Sequence, residues 1–88
     1  MTYLIKYVPS VEKDLKKLPR EVAQEAIRLI QEEIAKDPFR GRPLKGRYKG
    51  LWKYRIRDWR IIYNIEKTTL IILVLRVRHR KDVYEGIV

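Results

Sequence analysis

Apolar positions along this chain change their period twice. Tyr3-Leu4-Ile5-Lys6-Tyr7-Val8 is dense in β-formers and reads as a strand. Pro9-Ser10 then opens a helical stretch in which Val11, Leu15 and Leu18 recur at helical spacing, with Ser10 as the expected N-cap. Leu18-Pro19 breaks it. A longer helix is predicted from about Arg20 to Lys36, with Ala23, Ala26, Ile27, Ile30 and Ile34 forming one apolar stripe. Asp37-Pro38 ends that helix, because the residue before a proline avoids helical geometry.

Residues 38–50 form the one real loop, where Pro38, Gly41, Pro43, Gly46 and Gly50 interleave with Arg40, Arg42, Lys45, Arg47 and Lys49. The period then falls to two. Strands are predicted over 51–57, 59–66 and 69–78, with turns near Asp58 and at Lys67-Thr68, and a short turn or helix over Lys81 to Glu85. Leu70 to Leu75 is apolar on both faces, which marks the last strand as central in its sheet. The order β-α-α-β-β-β predicts an α+β fold, a helical hairpin packed on one side of a mostly antiparallel sheet.

Alternation gives the strand at 51–57 two different faces. Trp52, Tyr54 and Ile56 point one way, while Lys53, Arg55 and Arg57 point the other. One face suits a core. The other becomes a ladder of cations about 7 Å apart, close to the repeat of a nucleic-acid phosphate backbone. Trp52, Tyr54, Trp59 and Tyr63 follow the apolar alternation and are expected in the core rather than as stacking platforms.

Charge sharpens this picture. The 88 residues carry a formal net charge of +10, and 45% are hydrophobic, so the chain is no disordered polycation. Residues 1–44 hold nine Lys/Arg and seven Asp/Glu, whereas residues 45–88 hold twelve and four. High charge without cysteine also fits thermophilic ancestry, but heat stability favours paired networks of both signs. That accounts for the first half and not for the second. Between Lys45 and Arg80, eleven basic residues face only Asp58 and Glu66, so a polyanionic partner is expected, with nucleic acid first.

Other classes are poorly supported. The absence of cysteine removes disulfides, thiolate ligands and cysteine nucleophiles. One histidine and scattered helix acids such as Glu12, Asp14 and the Glu32-Glu33 pair suggest no metal site and no cofactor. Ser10 is the only serine, and a cap explains it. The longest apolar run has six residues, too short for a membrane span. The first residues lack the basic-then-apolar design of a signal peptide, which makes the cytoplasm the expected location, and the length is that of one domain, 1–88.

Taken in order, several segments carry a resemblance. They are the Tyr3-Leu4-Ile5 strand, Lys13-Asp14-Leu15-Lys16-Lys17-Leu18-Pro19, Pro38 and Leu44-Lys45-Gly46. Then come Leu51-Trp52-Lys53-Tyr54-Arg55-Ile56-Arg57, Trp59-Arg60-Ile61-Ile62-Tyr63 and His79-Arg80-Lys81-Asp82-Val83-Tyr84. With this order and spacing over nearly the whole length, the chain resembles the RelE/ParE superfamily of type II toxin–antitoxin toxins, most closely its RelE branch.

The resemblance implies a compact, metal-independent RNase that cuts mRNA in the ribosomal A site, and an acidic RelB-like antitoxin encoded by a neighbouring gene. It implies catalytic roles for Lys53, Arg55, Arg60, Arg80 (with Arg78 as the alternative register) and Tyr84. Arginines suit a crowded anionic phosphorane because they stay charged and present forked donors. Where the family carries a second strand lysine, this chain has Arg55, so Lys53, His79 and Tyr84 remain candidates for the base. Lys45, Arg47, Lys49, Arg57, Arg76, Arg78, His79 and Lys81 are the expected contacts to RNA and ribosome. The ParE branch shares the fold and implies the alternative, a non-hydrolytic inhibitor of DNA gyrase. A basic RNA- or ribosome-binding module without chemistry is the third reading.

Overall fold

The computed structural model describes residues 2–84. Strand β1 (Leu4–Tyr7) leads into helices α1 (Pro9–Lys17) and α2 (Arg20–Leu29). Strands β2 (Arg42–Pro43), β3 (Leu51–Ile56), β4 (Trp59–Glu66) and β5 (Ile71–His79) follow. They form one sheet in the order β1-β5-β4-β3-β2. β1 runs parallel to β5 and every other pairing is antiparallel. The expected α+β class and β-α-α-β-β-β order hold, with the two-residue β2 added inside the loop.

Local chemistry explains the details. α1 starts at Pro9, whose fixed φ and missing N–H suit the first helical position, so Val8 occupies the N-cap and Ser10 caps nothing. α2 passes into a π-helical turn, Ile30–Ile34, with Ala35 N–H bonding the Ile30 carbonyl at 2.9 Å. The Asp37 side chain then accepts the Phe39 N–H at 3.3 Å and opens a short 3₁₀ turn. Of the short turn or helix expected over Lys81 to Glu85, the described part is a run of turns over 80–84, and Glu85 lies outside the described residues.

Both helices lie on one side of the sheet. Val11, Ala26, Ile30 and Ile34 from the helical side meet Ile56, Ile61, Tyr63, Ile72, Val74 and Val77 from the sheet in one buried cluster. Ile27 departs from the predicted stripe. It is 37% exposed, while Val22 takes its place in the interior. No helix among the described residues is long and apolar enough to cross a membrane.

Candidate functional site

A register shift in the sheet decides which face the β5 arginines take. Strict alternation would place Ile72, Val74, Arg76 and Arg78 on one side of β5. Between Ile62 and Tyr63 the pairing jumps, however, so Ile62 faces Arg76 while Tyr63 faces Val74, and Leu75 is bulged. The bulge flips the phase. Ile72, Val74 and Val77 all reach the helix-side core, and Arg76 and Arg78 turn to the opposite face.

Two rungs of that face follow from the register. One is Arg42–Lys53–Ile62–Arg76 and the other Arg55–Arg60–Arg78, each running across adjacent strands. Strand geometry separates the rungs by about 7 Å.

The β3–β4 turn orients the second rung. Arg57 has φ 52, a conformation favoured by glycine rather than by a long side chain. The Arg60 Nη1 group donates to the carbonyls of Arg57 and Trp59, both at 2.9 Å, and Arg55 Nε reaches the Arg57 carbonyl at 3.5 Å. Burial, and then the charges of Arg55 and Arg80, lower the Arg60 pKa from its ordinary value, against the opposing effect of Asp58 and Tyr84. Arg80 N–H bonds the Asp58 carbonyl at 2.7 Å, which ties the end of β5 to the same turn.

Beside this turn lies a cleft of about 520 Å³ lined by Arg40, Gly41, Arg42, Lys53, Tyr54, Arg55 and Arg60. Five cations meet there and no carboxylate. Arg40 is steadied by Glu33 at 3.2 Å, whereas Arg42, Lys53 and Arg55 have no acidic partner among the described residues. Such a cleft attracts a polyanion and is aimed at phosphate oxygens.

The expected site residues are thus unevenly gathered. Lys53, Arg55 and Arg60 share the cleft. Arg80 is felt at Arg60 although its Nε lies 3.8 Å from Asp58. Arg78 pairs with Arg60 along the strand, yet its Nε approaches Asp14 at 3.9 Å. Arg76 does not serve the open face: its guanidinium bonds Asp14 at 2.9 Å and is only 17% exposed. Acidic groups also reach Arg57, through Glu25 at 3.7 Å. Of the expected stripe, Lys53 and Arg55 thus have no acidic partner among the described residues, whereas Arg57, Arg76, Arg78 and Arg80 each lie near one.

His79 stands apart from the cleft. Its Nδ1 accepts the Lys81 N–H at 3.2 Å, its ring meets Trp59 edge-to-face, and it lines a small cavity with Asp14, Lys17 and Asp82. Tyr84 stacks on Tyr48 with ring centroids 4.8 Å apart, and Arg47 lies over the Tyr48 ring at 5.6 Å. Lys45 and Lys49 flank that short turn, both exposed. Among the described residues, no three of His, Asp and Glu cluster so as to hold a metal ion.

Sequence reasoning missed Arg40, Gly41 and Arg42 as site residues, and Tyr48 as the partner of Tyr84. The available signal was a glycine between two arginines, which as pattern reads only as loop.

Comparisons with known proteins agree with this architecture. A family model for the ParE toxin of the type II toxin–antitoxin system parDE matches residues 5–84. Toxin RelG of Mycobacterium tuberculosis is 28% identical over 85 residues, spanning 96% of this chain and 98% of RelG. The crystal structure of the RelBE2 toxin–antitoxin complex of M. tuberculosis superposes with a TM-score of 0.86 at 26% identity, over 91% of this chain and 100% of that one. The archaeal RelE–RelB complex of Pyrococcus horikoshii gives 0.68 at 28% identity, over 91% and 97%. With the fold, the basic cleft and this family match together, the chain belongs to the RelE/ParE superfamily of type II toxin–antitoxin toxins.

Proposed function

We propose that this toxin is a metal-independent endoribonuclease that cuts mRNA in the ribosomal A site and thereby stops translation in the cytoplasm. The observation that carries the reading is the cleft, where Lys53, Arg55 and Arg60 converge with no carboxylate among the lining residues. A gyrase-binding surface needs no such convergence of phosphate-binding groups.

The chemistry divides into three tasks. The ribose 2′-oxygen attacks the adjacent phosphorus and loses its proton to a base. Lys53, the one lysine of the cleft, is our candidate for that role. The pentavalent phosphorane is stabilised by Arg55 and Arg60, whose forked donors match its equatorial oxygens. The P–O5′ bond then breaks, leaving a 2′,3′-cyclic phosphate, and the departing 5′-oxygen takes a proton. Tyr84 is the candidate acid, since its ring lies close enough to Arg60 for mutual electrostatic influence. Arg80 adds charge from the flank. Lys45, Arg47, Lys49, Arg57, Arg78 and Lys81 supply outlying contacts to ribosomal RNA, while Arg76 serves the fold.

The partner that restrains such a toxin is an acidic RelB-like antitoxin encoded by a neighbouring gene. Support comes from the two RelE-type relatives above, which are toxin–antitoxin complexes, and from the +10 charge that an acidic chain would neutralise. Co-purification with the adjacent gene product should give a complex at low salt.

A second reading, a ParE-like gyrase inhibitor, is favoured by the ParE family model that spans the chain. Primer extension on mRNA from cells induced for the toxin separates the two. Cleavage within codons supports the RNase, whereas intact mRNA with DNA damage supports the inhibitor.

A further inference from the structure

The first rung of the basic face ends at the sheet edge in a residue with no assigned role. Arg42 sits on β2 directly opposite Lys53, exposed and without an acidic partner among the described residues. We infer that Arg42 binds a second phosphate of the RNA strand, next to the scissile phosphate held by Arg55 and Arg60. The inference rests on the RNase reading and extends it from one phosphate to two.

The placement of Arg42 is built into the fold. The buried Tyr63 hydroxyl donates to the Pro38 carbonyl at 2.7 Å, which fixes the chain just before β2. At Gly41 a Cβ would run into the Tyr63 hydroxyl and come within 2.6 Å of the Lys53 carbonyl. Only glycine lets the segment close onto β3. Leu44 N–H then bonds the Leu51 carbonyl at 2.9 Å, so β2 is held against β3 on both sides of Arg42.

Two cationic rungs therefore enter one cleft. Arg42 and Lys53 form the outer one, Arg55 and Arg60 the inner one. Their separation of about 7 Å along β3 matches successive phosphates of an extended strand, which favours single-stranded RNA passing from the Arg55–Arg60 rung to the Arg42–Lys53 rung. Arg40 is already engaged by Glu33 and closes the rim. An acidic peptide is the competing occupant, since alternate carboxylates of an extended strand recur at a similar spacing, and the test below separates the two.

The test uses the full chain and a fluorescent single-stranded RNA oligonucleotide bearing a 2′-methoxy group at its central nucleotide, which blocks attack. Affinity is followed against salt. Arg42→Ala should reduce the slope of log K against log[salt] by about 0.7, the value for one phosphate contact on a single strand. Arg42→Lys should restore it, and Lys6→Ala, exposed on the far edge strand, should leave it unchanged. A neutral methylphosphonate at one phosphate flanking the centre should weaken wild type as Arg42→Ala does, and should add no further loss in Arg42→Ala. An unchanged slope in Arg42→Ala, or additive losses at every methylphosphonate position, overturns the inference. So does a loss confined to the antitoxin complex. Because this readout needs no cleavage, failure of wild type to cut programmed ribosomes would remove the RNase reading without touching the phosphate site.

Discussion

Asp14 of α1 grips Arg76 of β5 through a 2.9 Å hydrogen bond, and its second carboxylate oxygen accepts the Val77 N–H at 3.0 Å. β1 pairs with β5 only over Ile71 to Val74, so the outer edge of β5 is uncovered beyond that point. One buried carboxylate caps that open edge and pairs the cation beside it. Asp14 is 5% exposed, which makes it the one buried charged residue among those described.

Removing one member of such a pair strands the other. Asp14→Ala should cost about 3 kcal/mol of stability, because it leaves Arg76 poorly solvated and the Val77 N–H unpaired. Arg76→Ala should also destabilise while leaving RNA affinity nearly unchanged. Urea denaturation of both single variants and the double variant gives the coupling. Losses that simply add would show that the two groups do not act as a pair.

Gly41→Ala tests how tightly β2 is closed. The new methyl meets the Lys53 carbonyl, which is backbone and cannot swing aside. A loss of about 2 kcal/mol is expected, together with weaker RNA binding as Arg42 leaves its place beside Lys53. A variant as stable as wild type would mean that the segment is not pressed against β3.

Tyr63 gives the fold an alkaline sensitivity. Burial raises its phenol well above the ordinary tyrosine value, although a backbone hydrogen bond involving Gly41 works the other way. A folded pKa above the unfolded one means that the neutral phenol favours folding below about pH 10. That stabilisation declines as pH rises from there through the folded value. Tyr63→Phe should cost about 1 kcal/mol at neutral pH through the lost bond to Pro38. The gap from wild type should then narrow above about pH 10, which thermal melts at matched ionic strength would show.

Much of this was legible because local rules and the fold agree. Leu70 to Leu75, apolar on both faces, does lie centrally, with β5 between β1 and β4. Lys53 and Arg55 do share a face apart from Trp52 and Tyr54, since nothing interrupts the alternation of β3. Alternation misled where a long-range constraint outweighed it. The bulge at Leu75 is a shift in the pairing of β5 with β4, which no local pattern in Leu73-Val74-Leu75-Arg76-Val77 reveals.

The fates of Arg76 and Arg42 were hidden for a related reason. Arg76 reads as one more cation of the stripe, but its partner Asp14 is 62 residues away and on a helix. Arg42 reads as loop, and becomes part of the site only because Tyr63 draws Pro38 and Gly41 inward.

The central claim is chemical, and single-turnover cleavage of mRNA on ribosomes programmed with a defined A-site codon tests it most directly. Wild type should cut within that codon and leave a 2′,3′-cyclic phosphate. Arg60→Ala should slow the step on the order of 10²–10³-fold, with a much smaller loss of ribosome affinity because Lys53, Arg55 and Arg42 remain in the cleft. Tyr84→Phe should be slow as well if its hydroxyl supplies the proton. Intact mRNA in the presence of wild type, alongside inhibited gyrase supercoiling, would contradict the account and leave the ParE-like reading in its place.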